Sequence, residues 1–133
     1  MDKLLEMLIA SARRGDAEAQ FQLASYYRER QEEHSAFLWS RVANDNGHGE
    51  AGELAETIMA SDLLPEEDLA VAYLELGCWY RLGKNVPQNP EKSAEYLALA
   101  KQIDIPKSFD LEELRDRLDL PYVLDWDEIF PSQ

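Results

Sequence analysis

The chain has a single cysteine, Cys78, so no internal disulfide forms, which fits a reducing cytoplasm as the expected location. Its two histidines, His34 and His48, fall in different joints and, with one thiol, give no Cys/His spacing for zinc. His48 is read as a solvated loop residue. No glycine-rich phosphate loop occurs, and no metal or cofactor is expected. Alternating runs of β-branched residues are missing, which argues against strands. No apolar run approaches the ~18 residues of a membrane span. The opening MDKLLEMLIASARR interrupts its apolar residues with Glu6 and lacks a basic leader, so it is read as a helix and not as a signal peptide. Basic residues are scarce: 13 against 27 acidic ones, for a formal charge of −14. Residues 61–133 hold 16 acids and 7 bases, so the acidity grows towards the C-terminal half. A surface of this sign repels phosphate backbones, excludes nucleic acid as the expected partner and attracts a basic protein.

What the sequence does have is helical periodicity from end to end. Leu4, Leu5, Leu8 and Ala12 mark a first amphipathic helix that stops near Gly15. Further helices are predicted over about 17–30, 33–43 and 50–61. A fifth opens at Pro65 with Glu66, Glu67 and Asp68 at its positive end and stops at Gly83. A sixth begins at Asn89-Pro90 and runs to about Ile103. After Pro106, Asp110 and Glu113 form a capping-box-like start for a seventh. The expected fold is all-α, a short α-solenoid of antiparallel helix pairs, about seven helices in one domain, with a C-terminal capping helix and tail.

Segments of the chain echo one another. LASYY (23–27) aligns with LGCWY (76–80), SAFLWSRVA (35–43) with SAEYLALAK (93–101), and GDAEAQ (15–20) with GHGEAG (47–52). Gly77 falls inside a helix, at a cost of ~1 kcal/mol against alanine. A close approach by a neighbouring helix explains it. The runs GDAEAQFQLASYY and LGCWYRLGKNVPQNPEKSAEYLALAK resemble Sel-like (Sel-one) repeats, a branch of the tetratricopeptide-type helical repeats. Leu76, Gly77 and Tyr80 match the first helix of that pattern, Gly83 and Val86 its loop, and Lys92, Ala94 and Ala100 its second helix. Asn85 stands where the pattern has a second loop glycine; asparagine tolerates left-handed backbone better than most residues. The resemblance implies repeats over about 12–46, 47–64 (degenerate) and 65–103, with a cap over 104–133. It implies protein binding and not catalysis.

Two regions are expected to bind. First helices of such repeats line the concave face, which singles out Gln22, Tyr26, Glu75 and Trp79. The tail DLPYVLDWDEIFPSQ (119–133) carries four acids and seven large apolar residues. It is expected to cover the last helix pair, to present Trp126 among Asp125, Asp127 and Glu128 to a partner, or both. Cys78, inside a helix between Gly77 and Trp79, is read as a packed thiol and not as a nucleophile. The expected function is a non-catalytic module for a basic protein, in its sharpest form an immunity protein that neutralises a toxin. The alternatives are an adaptor or scaffold in a larger assembly, and a homodimer joined through the tail.

Overall fold

The structure, a computed structural model, describes residues 2–130; the end of the tail, 131–133, lies outside them. It is all-α. Eight helices follow one another among the described residues: α1 (Lys3–Arg13), α2 (Ala17–Glu29), α3 (Glu33–Asp45), α4 (Gly49–Ala60), α5 (Glu66–Leu82), α6 (Pro90–Ile103), α7 (Leu111–Leu118) and α8 (Trp126–Ile129). None is long and apolar enough to cross a membrane. Consecutive helices pack in pairs, α1 on α2, α2 on α3, α3 on α4 and α5 on α6, in the manner of a short solenoid. The gap between the two halves is spanned by α3 against α5.

Local chemistry sets the boundaries. Asp16 accepts hydrogen bonds from the Glu18 and Ala19 amides and starts α2 just after Gly15, whose φ of +100° makes the turn. Gly83 ends α5 at φ +69°, and Asn89 accepts from the Lys92 amide to start α6 with Pro90 in its first turn. Pro65 sits one residue earlier than expected, as the N-cap of α5. The seven helices read from the sequence become eight because the tail contains one more. Its full capping box is Asp125 with Glu128, whereas at α7 Asp110 caps the Glu112 amide alone.

One hydrophobic core runs from Ala12 to Ile129. Its centre is α5, where every residue from Ala70 to Tyr80 is buried, so this stretch turns no side to solvent. Gly77 is where α6 comes closest: a Cβ there would lie 2.5 Å from Leu97 Cδ2. Ser93 of α6 donates to the Gly77 carbonyl at 2.7 Å. The tail folds back and covers its own chain. Leu124 and Ile129 are buried, Arg81 donates to the Ile129 carbonyl, and Lys84 donates to the Asp119 carbonyl.

Candidate functional site

Helices α1–α3 face α5 across a cavity of about 340 Å³. Leu23 and Tyr27 of α2 and Leu38 and Trp39 of α3 form one side. Glu75 and Trp79, four residues apart and so on one face of α5, form the other. The two tryptophans lie 5.1 Å apart between ring centroids, tilted at 54°. At the rim stand Arg13 from the end of α1, Asn85 from the loop after α5, and Arg117 from α7.

Glu75 is only 3% exposed, and a carboxylate so placed needs paired donors. Arg117 supplies one from 42 residues away, its Nη1 donating to Glu75 Oε1 at 2.8 Å while Nη2 donates to Glu113 at 3.1 Å. His34 Nε2 lies 2.8 Å from the same Glu75 oxygen and 3.1 Å from Arg117 Nη1. Burial works against the Arg117 charge, but Glu75 and Glu113 outweigh it and hold its pKa above the ordinary arginine value. Glu75 is thereby spent within the chain. Trp79 is different: it is 4% exposed, and its indole N–H has no acceptor among the described residues.

Of the residues singled out from the sequence, Glu75 and Trp79 share this cavity, but Gln22 and Tyr26 do not. The latter lie in a separate groove of about 360 Å³ against Leu4, Leu5 and Leu8 of α1. One residue along a helix is about 100° around its axis, so Leu23 and Tyr27 face the cavity while Gln22 and Tyr26 face α1. Arg30 lies over the Tyr26 ring at 3.6 Å. The four residues expected on the concave face thus lie in two separate places. Asp125, Trp126, Asp127 and Glu128 form a third. Asp125 and Glu128 cap α8, Asp127 is exposed, and Trp126 is 39% exposed and stacked on Phe130 at 6.2 Å. Beside them is a groove of about 370 Å³ where Ile105, Pro106, Phe109, Trp126 and Phe130 meet the charged Lys101, Asp104 and Lys107, with Lys101 Nζ 5.4 Å from the centre of the Phe130 ring.

Sequence reasoning missed the cavity's rim. Asn85 takes φ +66°, the left-handed backbone for which glycine is the usual choice, and its Oδ1 accepts from Arg13 Nε at 2.9 Å. The departure from glycine at position 85 was the available signal. Nothing in the sequence marked Arg117. His48 was also misjudged: it stacks on Phe21 at 4.3 Å, and its Nε2 lies 2.7 Å from Glu18, so it is not a solvated loop residue. Its contact with His48 is the leading reason that the Glu18 carboxyl stays below its usual range. Among the described residues no group of three or more His, Cys, Asp or Glu side chains is placed to hold a metal ion.

Cys78 is buried, as expected. Burial pushes its thiol up to about 12, against the opposing pull of Arg81. A thiol reagent at about pH 8 is expected to leave Cys78 unmodified in the native protein and to label it fully in denaturant. Full labelling of the native state at the denatured rate would contradict this placement.

No protein-family model matches the chain, and no curated protein or solved structure matches it significantly.

Proposed function

We propose that the chain is a non-catalytic interaction module of Sel-like repeat type that binds a basic protein through its acidic C-terminal face. The observation that carries this reading is the exposed Trp126, stacked on the partly buried Phe130, in a segment whose surface is mostly acidic. Over residues 104–128 nine acidic residues are exposed, from Asp104 to Glu128, against the bases Lys107, Arg115 and Arg117. An aromatic anchor ringed by acids suits a basic surface: the charges speed encounter and the ring supplies the desolvated contact. The protected thiol of Cys78 agrees with a non-catalytic role. In its sharpest form the partner is a toxic enzyme that this chain neutralises.

Affinity capture from the native cell at low and at high salt tests the reading. Trp126→Ala and Asp127→Lys are the informative variants, since neither residue is buried and Asp127 takes no part in the α8 capping box. Asp127→Lys is expected to change stability by about 0.5 kcal/mol and Trp126→Ala, which gives up the stack on Phe130, by about 1–2 kcal/mol; each is expected to release the partner. High salt is expected to weaken capture by the unaltered chain. A partner retained equally by both variants and at high salt would remove the C-terminal face from consideration. Normal growth of cells producing the captured partner alone would sink the neutralising form.

A further inference from the structure

We propose that the concave cavity between α2, α3 and α5 binds a small molecule carrying a carboxylate on a flat apolar body. This site is separate from the C-terminal face described above and does not depend on that reading.

The first ground is charge. The cavity lining carries two arginines, Arg13 and Arg117, and one carboxylate, Glu75, on a chain whose net charge is −14. Arg117 and His34 already engage Glu75. Arg13 is unspent: it forms no ion pair among the described residues, and its one side-chain bond runs through Nε to Asn85. Both terminal Nη groups thus keep their donors, in the planar fork that matches a carboxylate.

The second ground is a further donor, the hydroxyl of Ser35 in the same lining.

The third ground is shape. Tyr27, half-buried, offers aromatic surface, and about 340 Å³ falls within the range of small-molecule sites, near its lower end. The cavity therefore has mixed polar and apolar walls and, among its described lining residues, one cation outside any ion pair. An ammonium ligand would find its only carboxylate occupied.

Asn85 acts here as a positioning residue. Asparagine accepts the left-handed backbone found there more readily than most residues, and its side chain holds Arg13 across 72 positions of sequence. Asn85→Gly keeps that backbone and releases Arg13. It is expected to preserve or raise the melting temperature while weakening binding severalfold, a split that a purely structural role would not give.

Titration of the full chain with benzoate, phenylacetate, benzyl alcohol and benzylamine, followed through the indole N–H signals by NMR, is the test. Loss of one signal in Trp79→Phe assigns the Trp79 resonance. The two carboxylates are expected to shift that resonance saturably, the alcohol and the amine far less. Arg13→Met, at an exposed position where folding is not at risk, is expected to weaken carboxylate binding roughly tenfold or more. No saturable shift with either carboxylate, equal binding by Arg13→Met, or preference for benzylamine would each overturn the proposal.

Discussion

Asp45→Ala is expected to remove about 3–5 kcal/mol of stability, read as a large drop in the urea midpoint. Asp45 ends α3 with its side chain 8% exposed. Its Oδ2 accepts from the Tyr96 hydroxyl at 2.6 Å and the Tyr80 hydroxyl at 2.8 Å, and Lys92 Nζ lies 3.8 Å from Oδ1. Tyr80 and Tyr96 stack almost parallel, and Arg41 lies over the Tyr73 and Tyr96 rings. One carboxylate thus ties the end of α3 to both α5 and α6. Removing it leaves two largely buried hydroxyls without that acceptor, each at a cost of about 1–3 kcal/mol, and deprives Lys92 of its buried counter-charge. Asp45→Asn retains one oxygen and is expected to lose less. Tyr80→Phe or Tyr96→Phe, which delete one donor and bury no new unmet group, should cost about 1 kcal/mol each. An Asp45→Ala loss no larger than either tyrosine variant would refute the network.

The same pair sets an alkaline limit. Burial first, and the Asp45 charge second, push both tyrosine hydroxyls far above their ordinary pKa of about 10. For a pKa raised in the folded state, the contribution to stability is whole below the unfolded value and is lost as pH rises. The unfolded chain releases those protons first, so stability declines above about pH 10. Because burial is the larger cause, the decline should persist in Asp45→Ala.

Gly77→Val is expected to cost about 3 kcal/mol. The first carbon of any side chain at 77 would meet Leu97 Cδ2 at 2.5 Å and Cγ at 2.6 Å, with the Leu97 backbone nitrogen 3.3 Å away. Moving Leu97 alone does not clear a branched residue, so α6 must shift and strain the Ser93 bond to the Gly77 carbonyl. Gly77→Ala is milder, since overpacking of about 1–3 kcal/mol is partly offset by ~1 kcal/mol of better helix propensity. The decisive measurement is a double-mutant cycle with Leu97→Ala in chemical denaturation. The truncated Leu97 vacates the space that an alanine at 77 needs, so the double variant should be more stable than the summed single losses by over about 0.5 kcal/mol. Additive losses would show that Gly77 does not owe its identity to this contact.

The close approach at Gly77 was legible because a glycine amid good helix formers has a cost that packing must answer. Helix order was legible for a similar reason. Aspartate, asparagine, proline and glycine at the boundaries act through short-range bonds that their immediate neighbours determine. The eighth helix escaped because four residues are too few to show a period, although Asp125 and Glu128 carried its capping box. The cavity was half legible: Glu75 and Trp79 follow from the phase of α5. Gln22 and Tyr26 were placed with them because assigning a face by repeat alignment ignores how α1 crosses α2. Arg117 and Arg13 reach the site from 42 and 62 residues away from Glu75, and no local pattern encodes such a meeting. Asp45 left one faint mark: an acid in the last turn opposes the helix dipole and asks for a compensating partner elsewhere.

The bond between Arg117 and Glu75 has a bearing on the order in which the protein matures. A ribosome delivers α1 to α5 well before α7, and folding during synthesis proceeds from the N-terminal side. Until residue 117 emerges, the carboxylate at the heart of the nascent bundle lacks its guanidinium and has His34 as its partner. Closure of the interior therefore waits for the late-made cap. A nascent chain arrested before α7 would hold Glu75 through His34 alone, with one side of the cavity open.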